Sequence, residues 1–157
     1  MADLEELYRE IILDHYRSPR NRGELTDEAA LRAEGFNPLC GDEILVTLHV
    51  DAGVVSDIKI SGQGCSISQS SASLMSAAVK GKTIAEVRKT IDTFKTLMTV
   101  HEAQLEDSGD APEPEPIDLR SLGELAALQG VVKFPMRIKC ATLGWNTLAQ
   151  ALNDASL

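Results

Sequence analysis

The three cysteines of this 157-residue chain lie in sequence contexts that favour metal binding or thiol chemistry. Cys40 and Cys65 occupy glycine-containing turn sequences, Asn-Pro-Leu-Cys-Gly-Asp and Gly-Gln-Gly-Cys-Ser, and Asp42 follows Cys40 by two positions. In an extended segment, residues two apart point the same way, so the thiolate and the carboxylate would share one side. Gly41 lies between them and lets the backbone bend toward a bound ion. Cys40 and Asp42 are therefore predicted to form half of a metal site.

Cys65 and Cys140 are predicted to supply the other half of that site. Each lies near the expected start of a helix, where the helix dipole and free N–H groups favour a thiolate over a thiol. Three sulfurs and one oxygen suit a tetrahedral zinc ion. The alternative is three unrelated core cysteines, because free cysteine is among the most buried residue types. The turn sequences favour the metal site, although sequence alone does not show that Cys65 and Cys140 meet.

Composition and charge limit the classes of protein to which the chain can belong. Its length and its hydrophobic content of 43% predict one domain over residues 1–157. An odd number of cysteines, and the lack of a secretory or membrane-spanning sequence, indicate a reducing compartment, the cytoplasm. The net charge is -9 and the basic residues form no stripe, which argues against nucleic acid as a partner.

Histidines, serines and two basic residues are weaker candidates for chemistry. His15 lies on the apolar face of the first predicted helix and is expected to pack there, while the other two histidines neighbour no cysteine in the sequence. Six serines near Cys65 have no evident general base, so serine catalysis is not expected. They are Ser66, Ser68, Ser70, Ser71, Ser73 and Ser76. Arg137 and Lys139 are either solvated charges or cations that steady a thiolate or bind a partner.

Hydrophobic periodicity and turn residues predict a helix, then strands, then further helices along the chain. The predicted elements are a helix from Leu4 to Ser18, strands Glu43–Val50 and Val54–Ile60 joined by a hairpin turn, and helices over 66–80, 84–100, 118–128 and from Pro135. Residues 21–35 are expected to be irregular, with a weakly signalled third strand just before Cys40. Prolines between acids predict an extended loop over 107–117. This order predicts an α+β fold with a small antiparallel sheet covered on one face.

Three motif blocks, in this order, resemble the U-type iron–sulfur cluster assembly proteins. The blocks are Asn37-Pro38-x-Cys40-Gly41-Asp42, Gly64-Cys65-Ser66-Ile67-Ser68 and Arg137-x-Lys139-Cys140-Ala141-x-Leu143-x-Trp145. The similarity extends over nearly the whole chain and includes the spacing between the blocks. The branch it resembles most is the SufU-like one, which carries an extra segment before its third cysteine. Residues 107–128 fit that segment as an acidic, proline-rich insertion.

The resemblance implies a fold, a ligand set and a function. The implied fold is α+β, with a three-stranded antiparallel sheet and helices packed on one face. The implied zinc ligands are Cys40, Asp42, Cys65 and Cys140, with Cys40 as the sulfur acceptor and Arg137 in the partner contact. Proteins of this branch accept persulfide sulfur from a PLP-dependent cysteine desulfurase of the SufS type. They pass it to iron–sulfur cluster assembly through a SufB-containing complex.

Two positions distinguish this sequence from the scaffold branch of the same family. That branch has histidine immediately before its third cysteine, where this chain has Lys139. It also carries a Leu-Pro-Pro-Val-Lys segment that a DnaK-type chaperone binds, where this chain has Lys-Phe-Pro-Met-Arg at 133–137. Both differences favour zinc-dependent sulfur transfer, without that chaperone. The main alternative is a scaffold for a transient [2Fe-2S] cluster on the same cysteines. A third is a structural zinc domain that mediates protein interaction.

Overall fold

A computed structural model describes residues 4–105 and 122–157 of the chain. The helices are α1 (Leu4–Arg17), α2 (Ser66–Val79), α3 (Ile84–Leu105) and α4 (Pro135–Asp154), and a 3₁₀ helix spans Gly123–Lys133. The strands are β1 (Leu31–Asn37), β2 (Asp42–Asp51) and β3 (Val54–Gln63). The predicted extended loop 107–117 and the first residues of the predicted helix 118–128 lie outside the described residues.

The three strands form one antiparallel sheet in the order β1-β2-β3, which confirms the predicted fold class. β2 and β3 form the predicted hairpin, in which Ala52 and Gly53 have φ values of 51° and 77°. Two consecutive positive φ values make a turn whose twist matches that of the paired strands. β1 pairs with β2 along its whole length and ends opposite the start of β2, where Asn37 faces Asp42.

Strand β1 corrects the expectation that residues 21–35 are irregular, because residues 31–35 belong to it. Its sequence, Leu-Arg-Ala-Glu-Gly-Phe-Asn, lacks the β-branched residues that are typical of strands, so pairing with β2 stabilises it rather than local propensity. Gly35 lets α4 approach closely, since a side chain there would overlap Thr147 Oγ1. The weakly signalled third strand before Cys40 is thereby confirmed.

Helices α2 and α4 pack on the sheet and bury its apolar face. The buried strand residues alternate along the chain, and they include Ile44, Val46, Leu48, Ile58 and Ile60. Trp145 of α4 is buried and stacks on Phe94 of α3, with ring centroids 4.4 Å apart. α4 begins at Pro135, as predicted, because proline suits the first turn of a helix.

The 3₁₀ helix and the residue before it belong to the same core. Leu122, Leu125, Ala126 and Leu128 are buried, and the 3₁₀ helix contacts α1, α3 and α4. The described part of the predicted helix 118–128 is therefore confirmed as helical and buried in the core, and it belongs to a 3₁₀ helix that extends to Lys133. Among the described residues, none of the helices combines the length and the hydropathy that a membrane span requires.

Candidate metal centre

Three segments that are distant in sequence converge at one end of the sheet. The turn between β1 and β2 carries Cys40, and Asp42 is the first residue of β2. Cys65 precedes α2, and Cys140 lies in α4. The Sγ atoms of Cys40 and Cys140 are 3.4 Å apart, and ligand atoms of these two residues and Asp42 all lie within 4.8 Å of one another. The fold thus brings together side chains that are 100 positions apart.

Cys65 adjoins this compact group through Asp42. Its Sγ lies 3.9 Å from Asp42 Oδ2, although the group of atoms within 4.8 Å does not include it. In a tetrahedral zinc site, ligand bonds of about 2.0–2.3 Å place neighbouring ligand atoms roughly 3.5–3.8 Å apart. The Cys40–Cys140 and Cys65–Asp42 separations are near that range. The donor types, three sulfurs and one oxygen, suit zinc, and Cys40, Asp42 and Cys140 form the compact part of the candidate site.

The carboxylate of Asp42 is buried and held in one orientation. Its Oδ1 accepts hydrogen bonds from the Cys65 backbone N–H at 2.9 Å and from the Ser68 hydroxyl at 3.1 Å. Burial acts to raise the pKa of Asp42, but hydrogen bonds from Cys65, Cys140 and Ser68 outweigh it and hold this pKa below its usual range. Asp42 is consequently ionised at neutral pH, and its Oδ2 is the oxygen nearer the thiols.

Cys65 lies at the start of α2, as predicted, and it caps the N-terminus of that helix. Its Sγ accepts a hydrogen bond from the Ser68 backbone N–H at 3.4 Å. Gly64, with φ of +153°, precedes it in a conformation that favours glycine, and a side chain there would overlap Asp42 Oδ1 and Ser68 Oγ. Glycine at this position therefore lets the chain pass over the carboxylate.

Cys140 differs from its predicted environment. It is the sixth residue of α4 and is buried, so the helix dipole does not favour its thiolate as expected. Burial, followed by hydrogen bonds with Cys40, Asp42 and Cys65, raises the pKa of Cys140 well above its usual value. The metal-free protein holds this residue as a thiol, and metal binding must displace its proton.

Arg137 lies beside the thiols although its side chain is exposed. The charge of Cys65 raises the pKa of Arg137 most, and hydrogen bonding to Cys140 and the charge of Cys140 act in the same direction. Lys139, the other predicted cation, is exposed. Arg137 is thus the residue of this pair that can steady thiolates at the opening of the site.

Asn37 is a residue of the site to which the sequence assigned no role. It is buried, and its Nδ2 lies 3.3 Å from Asp42 Oδ2 and 3.6 Å from Cys140 Sγ. One amide therefore donates to two of the candidate ligands, which places Asn37 among the residues that orient them. Its position in the Asn-Pro-x-Cys-Gly-Asp block was the only signal in the sequence.

A second polar cluster corrects the expectation that no base lies near the serines. His15 is buried, with Nδ1 2.8 Å from Ser73 Oγ and Nε2 3.0 Å from Glu124 Oε2. Sequence reasoning missed this contact because His15 and Ser73 are 58 positions apart. Ser73 is itself buried, and its Oγ also accepts the Arg20 backbone N–H at 2.8 Å. The hydroxyl has no access to a substrate, so the cluster joins α1, α2 and the 3₁₀ helix structurally.

Known proteins share this arrangement of sequence and fold. The family model for the NifU-like N-terminal domain matches residues 7–141. The chain belongs to the NifU-like N-terminal domain family. Its members include the U-type iron–sulfur cluster assembly proteins that the three motif blocks resemble, so that prediction is confirmed.

Two curated relatives of this NifU-like domain cover nearly all of it. The zinc-dependent sulfurtransferase SufU of Bacillus subtilis (strain 168) is 44% identical over 96% of this chain and 92% of that protein. The iron–sulfur cluster assembly scaffold protein IscU of Streptococcus pyogenes serotype M1 is 36% identical over 99% of this chain and 89% of that protein. The chain is therefore a protein of the SufU-type, iron–sulfur cluster assembly group of NifU-like domains.

Solved structures show the same NifU-like fold. A crystal structure of an iron–sulfur cluster assembly scaffold protein for the SUF system, from Fervidobacterium islandicum AW-1, superposes with a TM-score of 0.78. It is 30% identical and covers 96% of this chain and 99% of its own. A NifU-like N-terminal protein from Brucella abortus superposes with a TM-score of 0.75 at 22% identity, over 98% of this chain and 96% of its own, which supports the fold alone.

Proposed function

We propose that this protein is a zinc-dependent sulfur-transfer protein that acts in iron–sulfur cluster assembly. Cys40, Asp42, Cys65 and Cys140 are its zinc ligands in this proposal, and Cys40 is the sulfur acceptor. The supporting observation is the convergence of three thiols and an oriented carboxylate from three separate segments. Zinc, when bound, keeps a ligating cysteine deprotonated at neutral pH. The similarity to a relative named a zinc-dependent sulfurtransferase supports the same function.

Cys40 is better placed than the other two cysteines to leave the site and meet a partner. Cys140 is buried within a helix, and the Sγ of Cys65 caps α2. Cys40 is partly exposed on the turn between β1 and β2, and its neighbour Gly41 has φ of +67° with open space around it. This turn can rearrange without displacing a packed element.

The transfer itself is a thiol–disulfide-type exchange. The Cys40 thiolate attacks the terminal sulfur of a persulfide on the donor, and a new S–S bond forms on Cys40. The S–S bond of the donor breaks, and the donor cysteine departs as a thiolate. The sulfane sulfur moves between proteins without a change in its oxidation state.

The surface around the site has the apolar character of a protein-binding surface. Phe36, Leu39, Phe134 and Met136 have exposed fractions of 63%, 67%, 61% and 67%. We call these four residues the apolar rim, because they lie on the two segments that carry Cys40 and Cys140. Large exposed apolar residues on the two segments that carry Cys40 and Cys140 favour a contact with another protein.

We therefore propose a PLP-dependent cysteine desulfurase of the SufS type as the sulfur donor, with the apolar rim and Arg137 in the contact. The downstream acceptor in this proposal is a SufB-containing assembly complex. A DnaK-type chaperone is not proposed, because residues 133–137 differ from the segment that such a chaperone binds. Residues 1–157 are proposed to form one domain, with the acidic insertion at about 107–128.

Mass spectrometry tests the acceptor role directly. Zinc-loaded protein is incubated with a SufS-type desulfurase and cysteine, and its peptides are mapped for an added sulfur atom. The adduct is expected on Cys40 and is expected to be lost in Cys40→Ser, together with the stimulation of desulfurase turnover. Circular dichroism establishes that the variant is folded. Full stimulation by folded Cys40→Ser would overturn the proposal.

The similarity to a relative named an IscU scaffold supports a second candidate function. In that case Cys40, Cys65 and Cys140 hold a transient [2Fe-2S] cluster as cargo. Anaerobic reconstitution with iron and sulfide distinguishes the two functions. A stable cluster that transfers to an apo-ferredoxin supports the scaffold, whereas retained zinc without visible absorption supports sulfur transfer.

A further inference from the structure

We propose that Cys140 is a resolving thiol, which in the metal-free protein attacks a persulfide on Cys40 and releases its terminal sulfur as hydrogen sulfide. The proposal rests on the proposed function, because it takes Cys40 as the residue that carries the persulfide. It adds a second fate for that sulfur, which is discharge rather than transfer. The observation behind it is the separation of 3.4 Å between the Cys140 and Cys40 Sγ atoms.

The geometry favours a bond between these two sulfurs. Cys140 is fixed by α4, and its Sγ also receives the Asn37 amide at 3.6 Å. A disulfide bond measures about 2.05 Å, so one of the two sulfurs must move inward. Cys40 can make this movement, because the open space around Gly41 lets its turn shift. Cys65 is less well placed to attack, since its Sγ lies outside the compact group of ligand atoms.

The reaction balances without an external oxidant or reductant. The ionised terminal sulfur of the persulfide first takes the proton of the Cys140 thiol, which leaves Cys140 as the attacking thiolate. A bond then forms between Cys140 Sγ and Cys40 Sγ, and the bond between Cys40 Sγ and the terminal sulfur breaks. The electron pair of the broken bond leaves with the terminal sulfur as hydrosulfide, which water protonates to hydrogen sulfide. The sulfane sulfur is reduced, and the two cysteines are oxidised to a disulfide.

The same contact gives the metal site a protective role toward the persulfide. When Cys140 binds a metal, its sulfur is coordinated and is not available to attack Cys40. Metal occupancy therefore decides whether a persulfide on Cys40 survives for transfer. The disulfide product removes two of the four candidate ligands at once, so discharge also blocks renewed metal binding until the disulfide is reduced.

The test uses the full-length protein, freed of metal with a chelator, and inorganic polysulfide as the sulfur donor. After brief charging and desalting, intact mass and free sulfide are followed over time. In the wild type, the mass of one added sulfur is expected to give way to the loss of two hydrogens, with one sulfide released per chain. Peptide mapping is expected to find a Cys40–Cys140 disulfide. In Cys140→Ser, the added sulfur is expected to last roughly tenfold longer or more.

Two results would overturn the proposal. One is a Cys40 persulfide that lasts as long in the wild type as in Cys140→Ser. The other is discharge in Cys140→Ser combined with a lasting persulfide in Cys65→Ser, which would make Cys65 the resolving thiol. The mapped disulfide in the wild type needs no variant, so a folding defect in Cys140→Ser does not block the test. Failure of a desulfurase to charge Cys40 would count against the proposed function only, since polysulfide replaces the enzyme here.

Discussion

The backbone N–H of Cys65 donates a hydrogen bond to Asp42 Oδ1 at 2.9 Å, so the segment that carries one candidate ligand orients another. The Ser68 hydroxyl, in the first turn of α2, reinforces this contact at 3.1 Å. Because both bonds go to Oδ1, the second oxygen is directed toward the thiols. The junction of β3 with α2 and the start of β2 therefore act as one unit in forming the site.

Substitution of Gly64 tests that unit. Gly64→Ala is expected to lower zinc affinity by roughly 10–100-fold, because the new methyl group would overlap Asp42 Oδ1 and displace the carboxylate. Gly81→Ala is the matched control, since Gly81 also has a positive φ, +82°, but has no atom within 4 Å of the added methyl group. Competition with a chromophoric chelator measures both affinities, and equal losses would show that backbone strain alone is responsible.

The amide of Asn37 is expected to tune the metal site without binding the metal. Asn37→Ala removes the donor shared by Asp42 and Cys140 and is expected to weaken cobalt and zinc binding by about tenfold or more. The charge-transfer absorption of the cobalt-substituted protein is expected to shift as the Cys140 thiolate loses its hydrogen bond. Asn146→Ala, at an exposed position of α4, serves as the control. An unchanged spectrum in Asn37→Ala would contradict this role.

The raised pKa of Cys140 predicts a pH dependence of stability in the metal-free protein. Above about pH 8.5, the unfolded chain loses the thiol proton while the folded chain retains it, so the free energy of unfolding decreases as pH rises. Below that pH the Cys140 thiol is protonated in both the folded and the unfolded chain, and its contribution to the free energy of unfolding is fully present. Urea unfolding at a series of pH values measures the trend. Cys140→Ser has no thiol to titrate at this position and is expected to show a weaker decrease, so parallel curves would contradict the assignment.

The apolar rim predicts where the desulfurase binds. Leu39→Ser and Phe134→Ser are each expected to weaken desulfurase binding about fivefold or more, because exposed apolar residues at the centre of a contact contribute most to affinity. Leu7→Ser is the control, as Leu7 is also exposed but lies on α1. Titration calorimetry with the desulfurase measures the three dissociation constants. A larger effect from Leu7→Ser would place the contact on α1 instead.

The His15 cluster predicts a difference between a buried and an exposed member. His15→Ala is expected to lower the free energy of unfolding by about 2–4 kcal/mol, through a lost buried ring and two lost hydrogen bonds. Glu124→Ala removes a largely exposed carboxylate and is expected to cost about 1 kcal/mol or less. Urea unfolding of the two variants gives both values. Equal losses would show that the contact between His15 and Glu124, rather than burial of the ring, stabilises the cluster.

Local sequence patterns correctly predicted the structural features that depend on a single segment of the chain. The hairpin between β2 and β3, the start of α4 at Pro135 and the inward positions of the sheet follow from turn residues and alternation. Strand β1 was obscured, because its residues carry little strand propensity and it depends on β2 for its hydrogen bonds. The helix predicted over 118–128 followed from its apolar spacing, but its 3₁₀ form and its extent to Lys133 did not.

The sequence by itself identified the candidate ligands, since three cysteines and an aspartate in turn-rich motifs favour metal binding or thiol exchange over core packing. Only the tertiary structure decided their separations, the oxygen that Asp42 directs toward the thiols and the shared donor Asn37. It also reversed the expected protonation of Cys140, because this residue is buried and lies beyond the first turn of α4. Residue type is a local property of the chain, whereas distance, burial and hydrogen bonding depend on segments that meet only after folding.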